Sequence, residues 1–433
     1  MPPSDRRMGT SPIAPTIALV LFLICYQSAW AQPYVRSVEF RGLKRTKVSF
    51  LQPFLQTRSG ETLLEERIAS DEQTLRNLQL FASVASEVIV EGDEALVFFH
   101  VTERVTRIPI TNFGGITNNF WFQLGVNEYN WLGNGGSFGG YYQYYDRHSF
   151  KIFQQLPQLF SERWGMSYVL GRQSTREPAY FQGGNSEFDV DRWEAIAMVR
   201  YEIFRHLDRH ESLVLEIGGG YLNEIYNQRP GASFTYEGET HFHKYFLSTQ
   251  LLYQQLNYFF HFVSGFAPSL TIQRVETIER DDTFWKGLLE MRYYKRIGRR
   301  GNPAVRIRAG VSSNDDSPFV PFVLDSYVTV RGSGNRVARG TSEFTVNLEY
   351  RHTVIDRQKW ALQTVFFVDN SAWRPAGAPL LDMFHSENTV SFGGGGVRFY
   401  LQRIYNFILR VDYGASLTDP SSNGFVLGVG QYF

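Results

Sequence analysis

From about residue 105 onward, apolar and polar residues alternate in segments separated by turn residues. A period of two gives each segment one apolar face and one polar face, the signature of a half-buried strand. The alternation predicts strands over roughly 107–115, 121–131, 136–145, 149–156, 164–172, 191–205, 212–227, 240–254, 258–274, 283–297, 303–313, 340–352, 360–370, 387–400, 405–415 and 424–433, about sixteen in all. Charges keep to one face. Lys286, Glu290 and Arg292 oppose Leu289, Met291 and Tyr293; Arg306 and Arg308 alternate with Val305 and Ile307; Asn347, Glu349 and Arg351 alternate with Val346, Leu348 and Tyr350. A charge facing lipid at mid-bilayer costs ~2–4 kcal/mol, so a one-sided pattern of this kind predicts a polar lumen inside an apolar wall. The predicted class is mainly β: a transmembrane antiparallel β-barrel. A soluble sandwich with its polar face outward is the competing reading.

The last segment, GFVLGVGQYF, places Phe425, Leu427, Val429 and Phe433 on one face and Gly428, Gly430 and Tyr432 on the other. Such a strand is expected to close a barrel, with Phe433 in the interfacial aromatic girdle. Connection lengths agree with a barrel. The longest gaps, 173–190, 228–239, 314–339 and 371–386, all follow odd-numbered strands, whereas those after even strands, such as Gly133-Asn134-Gly135, are shorter. Long outer loops and short periplasmic turns are the expected asymmetry.

Residues 33–104 differ in texture. Val35 to Phe40 alternates as a strand, helical stretches are expected at about 46–56 and 62–78, and Val84–Val90 and Ala95–Val101 form a hairpin turning at Gly92-Asp93. This β-α-α-β-β order predicts a small α+β domain ahead of the barrel at 105–433. Before it, Arg6 and Arg7, the apolar run from Ile13 to Ile24 and the sequence Ala29-Trp30-Ala31 fit a signal peptide over 1–31. The one cysteine, Cys25, falls inside that segment, so the mature chain is expected to lack thiol chemistry.

Composition changes the picture little. The 43 basic and 43 acidic side chains cancel, which gives no bulk field toward nucleic acid. Aromatic residues at 16% with 38 glycines suit strands and tight turns, and the mean hydropathy of −0.26 suits alternating strands better than spanning helices.

Several motifs then occur in order: Tyr327 to Gly334 (YVTVRGSG), Asn347 to Arg351 (NLEYR), Phe366-Phe367-Val368-Asp369-Asn370, Gly393 to Phe399 (GGGGVRF) and Leu409 to Gly414 (LRVDYG). With Asn130 to Gly135 (NWLGNG) near the first strands, this order resembles the Omp85 superfamily of BamA/D15-type bacterial surface antigens, and residues 33–104 resemble its POTRA domain. The resemblance implies a single POTRA domain in the periplasm below an outer-membrane barrel. It implies that Arg331 and Gly332, matching the family's VRG motif, lie on a sixth outer loop folded into the lumen. There Arg331 would pair with Asp369, or with Glu349 as a second candidate. Ser333 stands where the family has an aromatic residue and Ser371 where it has glycine. The implied function is insertion or translocation of unfolded outer-membrane or secreted polypeptide clients. The POTRA domain would capture the client, and the seam between first and last strands would open laterally. Pro109 in the first strand and Gly428 and Gly430 in the last are the expected weak points, with Phe433 as terminal signal. The lipid bilayer and accessory envelope proteins are further expected partners. The alternative is an outer-membrane pore or structural envelope protein.

Other chemistry is discounted. Gly135-Gly136-Ser137-Phe138-Gly139 fits G-x-S-x-G but opens a strand, not the strand–turn–helix that a nucleophile elbow needs. His241 and His243 share a face, with His261 able to approach only from the next strand; Asp281-Asp282 and Asp315-Asp316 fall in outer loops. No catalytic, cofactor-binding or metal-binding residues are expected.

Overall fold

The computed structural model describes residues 32–116, 119–145, 147–181, 184–230, 237–280, 282–314, 321–334, 338–419 and 421–433. The expected signal peptide with Cys25 lies outside these residues, as do Asp281, Asp315 and Asp316.

The N-terminal unit comprises β1 (Tyr34–Arg41), a one-turn α1 (Val48–Leu51) continued by the 3-10 turn Gln52–Phe54, α2 (Glu65–Asn77), β2 (Phe81–Glu91) and β3 (Glu94–Glu103). The sheet order is β1-β3-β2, with β1 parallel to β3 and β2 antiparallel to it. The first helix is shorter than its pattern predicts because Pro53 has no N–H to donate and its ring crowds the carbonyl one turn earlier. Leu51 and Leu75 from the helices and Val97 and Phe99 from β3 are fully buried. Each such side chain contributes about 1.5–3 kcal/mol by leaving water.

A closed antiparallel barrel of sixteen strands follows. Its first half is β4 (Arg107–Ile116), β5 (Asn119–Trp131), β6 (Gly136–Tyr145), β7 (Arg147–Ser161), β8 (Trp164–Phe181), β9 (Gly184–His206), β10 (Glu211–Gln228) and β11 (His241–Phe259). Then come β12 (Phe262–Thr277), β13 (Asp282–Tyr294) and β14 (Gly301–Ser312). The loop after β14 holds a short hairpin of β15 (Phe322–Leu324) and β16 (Ala338–Gly340). The wall resumes with β17 (Ser342–Asp356), β18 (Trp360–Arg374), β19 (Thr389–Leu401), β20 (Phe407–Ser416) and β21 (Asn423–Val429).

Side-chain placement follows the alternation. Leu348, Tyr350, Phe366, Leu409 and Tyr413 are exposed on the outer surface, whereas Arg331, Arg351 and Arg398 are among the most deeply buried side chains in the protein. A wall that is apolar outside and charged inside is a membrane barrel's distribution, the inverse of a soluble core.

Two expectations need correction. The gap at 173–190 is not a long loop, because β8 and β9 continue through it to Phe181 and Gly184. Spanning a bilayer takes only about 9–11 residues per strand, so this hairpin extends past the membrane, where no apolar face is required and the alternation fades. The second correction concerns the last segment: β21 ends at Val429, and residues 430–433 leave the sheet.

Candidate functional site

The connection from β14 to β17 turns back into the lumen. Asp325 organises its inner end: its carboxylate accepts the Tyr327 N–H at 2.7 Å, its carbonyl accepts the Thr329 N–H at 2.8 Å, and its own N–H donates to Thr329 Oγ1 at 2.8 Å. The turn delivers Arg331 and Gly332 onto β20. A Cβ at Gly332 (φ +90°) would lie 2.5 Å from the Gly414 carbonyl oxygen, and one at Gly414 would lie 2.3 Å from the Arg331 carbonyl oxygen. Two facing glycines let the backbones touch where side chains could not fit.

Arg331 is wholly buried and fully engaged. Its Nε and Nη2 donate to Asp369 Oδ2 and Oδ1, both at 2.9 Å, and its backbone N–H donates to Oδ2 at 3.1 Å. Nη1 donates to Glu349. The guanidinium carbon lies 3.7 Å from the Phe367 ring centroid and 4.3 Å from that of Tyr432, so the plane is clasped between two rings. This fork-on-carboxylate geometry is available to arginine and not to lysine. Asn347 Nδ2 donates to Asp369 Oδ1 and to the Thr329 carbonyl, both at 2.8 Å, which ties loop and wall together again.

The network reaches further than Asp369 and Glu349. Arg351 Nε donates to Glu349 at 2.5 Å, and Arg398 forks onto Asp412 at 2.7 and 3.0 Å. Asp412 and Arg398 belong to the LRVDYG and GVRF motifs. Their place on a lumen face is readable from alternation, but their pairing across strands is not. The neighbouring glycines have a matching reason: a Cβ at Gly394 or Gly396 would lie 2.1 Å from the Tyr413 carbonyl oxygen or from Asp412 Oδ1, respectively.

The closure of the barrel lies beside this cluster. β21 pairs with β4 over only four positions, Phe425–Gly428 against Gly115–Asn112. Gly428 closes up on Asn112, whose Oδ1 would lie 2.5 Å from an added Cβ. Gly430 then takes a φ of +102°, donates its N–H to the Ile408 carbonyl at 2.8 Å, and turns the chain inward. Pro109 therefore sits on the stretch of β4 below the last position paired with β21. Phe433 is not in an outer aromatic girdle: its ring stacks on Tyr294 at 6.4 Å, and its carbonyl accepts from Arg351 Nη2 at 3.1 Å. Tyr432 beside it is buried, with its ring centroid 4.3–5.2 Å from the guanidinium carbons of Arg306, Arg331 and Arg410. In the sequence, the one break in the period near this turn is Gln431, on the face of Phe425, Leu427 and Val429.

At the opposite end the α+β domain docks on the turns that follow even-numbered wall strands. Lys47 donates its N–H to the Gly133 carbonyl at 2.9 Å, and Asn130 Nδ2 donates to Thr46 Oγ1 at 2.9 Å. A Cβ at Gly133 would lie 2.1 Å from the Arg45 carbonyl oxygen, so the NWLGNG turn is the docking element. Asn77 Nδ2 donates to Asn257 Oδ1 at 3.0 Å, and Gln402 Nε2 donates to the Ala82 carbonyl at 2.8 Å. Glu103 holds the docking loop through the N–H groups of Arg45 and Thr46, at 3.1 and 2.8 Å. Burial alone would raise this carboxyl, but the hydrogen bonds from Thr46, Lys44 and Arg45 outweigh it and hold it below the ordinary glutamate value.

Residues 33–104 match the family model POTRA, described as a surface antigen variable number repeat. Most of the chain superposes on solved barrels. Against BamA from Haemophilus ducreyi lacking POTRA domains 1–3, the TM-score is 0.53 at 14% identity, covering 93% of this chain and 85% of that one. Against CdiB from Acinetobacter baumannii it is 0.59 at 12%, covering 92% and 74%, and against CdiB from Escherichia coli 0.62 at 11%, covering 92% and 76%. The protein has the fold of these barrels, a closed sixteen-stranded wall preceded by residues 33–104, which match the POTRA model. Within that fold Arg331, Gly332, Asp369 and Glu349 meet in the lumen, while Pro109, Gly428 and Gly430 lie at or beside the seam.

The discounted residues are scattered over this frame. The His241 and His243 rings lie 4.5 Å apart, tilted by 46°, and His243 is bonded to Glu279, but His261 lies in the β11–β12 turn at the other end of the barrel. Ser137 opens β6 opposite Gln155. Among the described residues no group of three His, Cys, Asp or Glu side chains could hold a metal ion.

Proposed function

We propose that the protein inserts or translocates polypeptide clients at a bacterial outer membrane, with its POTRA domain in the periplasm. The four-position seam carries this reading, since it is the cheapest place for the wall to part. Clients would first add as a strand to an open POTRA edge. In the order β1-β3-β2 the outer side of β2 carries no further strand, and Val88, Ile89 and Val90 on it are exposed, whereas the start of β1 is already bonded on its outer side, at Val35, to Gly60 and Glu61. A client strand would then pair with the freed edge of β4. Residues 107–111 of β4 already lack a β21 partner, and Pro109 has no N–H to offer there. The free energy comes from client folding, and no chemical reaction is required.

The docked POTRA domain favours a second reading, a structural or pore-forming envelope protein whose periplasmic mouth is covered. Depleting the protein and measuring the outer-membrane proteome separates the two. Loss of other barrels or of a secreted protein supports client handling; an unchanged proteome with altered permeability supports the pore.

A further inference from the structure

The connection between β18 and β19, residues 375–388, is a compact knob on the outer rim. It is built of the 3-10 turns Leu380–Phe384 and Ser386–Asn388. Its shape is set by its own hydrogen bonds: Asp382 N–H to the Pro379 carbonyl at 3.2 Å, His385 N–H to the Asp382 carbonyl at 3.1 Å, and Asn388 Nδ2 to that same carbonyl at 2.8 Å. Met383 and Asn388 are buried beneath it. Leu380, Leu381 and Phe384 point away, at 51%, 74% and 58% exposure.

The knob leans on the outside of the wall, not over the lumen. The Phe384 ring meets that of Phe344 edge-on, with centroids 6.3 Å apart. Phe344 heads an outward row on β17 that continues through Leu348 and Tyr350, all three exposed. Ala372, directly opposite Phe344 in the β17–β18 ladder, shares that outer face yet is only 5% exposed. Three large apolar side chains grouped on a rigid turn, continuous with the apolar wall, form a patch that water does not favour.

We propose that this connection is a membrane-interface anchor, in which Leu380, Leu381 and Phe384 enter the outer leaflet beside β17 and β18. The occupant is lipid, because the patch continues the wall that already faces lipid, and the Asp382 backbone and the Asn388 side chain are bonded within the loop. The inference rests on the membrane-barrel reading above. It would fix the rim of the wall next to the strands that carry Glu349 and Asp369.

Single cysteines at Leu381, Phe366 and Asp419, made in a Cys25→Ser background, can carry nitroxide labels. The labelled protein is reconstituted in phosphatidylcholine–phosphatidylglycerol vesicles. Phe366 (63% exposed) lies on the wall and Asp419 in the β20–β21 turn. Relaxation by oxygen reports lipid, and relaxation by a soluble nickel chelate reports water. The expected result is oxygen-dominated relaxation at 381 and 366, with nickel-dominated relaxation at 419. A Leu381 label that behaves like the Asp419 label, while 366 reports lipid, overturns the anchor alone. A Phe366 label that reports water overturns the barrel reading instead. Label–label broadening at 381 would place a second copy on the knob and would also overturn the proposal.

Discussion

The strand pairs β8–β9 and β21–β4 belong to one closed sheet, yet they are held together differently. β8 and β9 are paired from Trp164–Tyr201 up to Phe181–Gly184, whereas β21 and β4 share four positions before Gly430 turns the chain away. Each ladder hydrogen bond adds about 0.5–1.5 kcal/mol net, so the long hairpin is self-sufficient and the seam is not. What the seam lacks in ladder it has in the lumen. Tyr432, just past the seam, lies against three guanidiniums, and Arg331 of the inserted loop is one of them. The barrel is thus closed at its weakest point by side chains that also hold the loop.

The largest effect should come from removing the arginine at the centre. Arg331→Ala leaves Asp369 and Glu349 buried with reduced compensation, and breaking a buried pair in this way costs about 3–5 kcal/mol. The temperature at which the folded band disappears on a heat-modifiability gel should fall. Arg331→Lys should restore part of it, and an unchanged temperature would mean that the loop does not brace the wall.

A smaller loss is expected for Tyr432→Leu, at about 1–3 kcal/mol from the cation–π contacts. Here the comparison sharpens. Amide exchange should accelerate at Val426 and Leu427 while Val169 and Ile196 in the β8–β9 ladder stay protected. Combined with Arg331→Ala the two losses should be less than additive, since they share a contact.

The smallest effect concerns the docking loop. The folded Glu103 carboxyl titrates below its unfolded value, so its contribution is fully present above about pH 4.3 and is lost as the pH falls through the lower folded value. Exchange at Thr46 and Lys47 should rise in that acidic window and should stop doing so in Glu103→Gln.

How much of this was legible follows from what each pattern encodes. Alternation placed β4 to β7 and β17 to β20 within a few residues because each runs through the apolar zone, where the period is enforced by lipid on one side. The same rule failed at 173–190, where strands continue into water. It also failed at the tail: Gln431 interrupts the face of Phe425, Leu427, Val429 and Phe433, but one polar residue does not show that the chain turns inward, which the backbone angle at Gly430 does. Arg331, Asp369 and Glu349 were named through the family motif. Arg398 and Asp412 stood in quoted motifs without an assigned partner, because one strand shows which face a residue takes and not what lies opposite it. The NWLGNG turn was recognised as a resemblance, and its contact with Arg45 and Lys47 belongs to tertiary structure alone.

The central claim is that the β21–β4 seam parts when a client passes. Cysteines at Phe113 and Leu427, directly paired across the seam, can lock it by oxidation in a Cys25→Ser background, with Val169 and Ile196 across β8–β9 as the matched control. With the locked protein as the sole copy, arrival of newly made clients at the outer membrane should stop, resume on reduction, and be indifferent to the control lock. Clients that continue to arrive while the seam is fully oxidised would contradict the account.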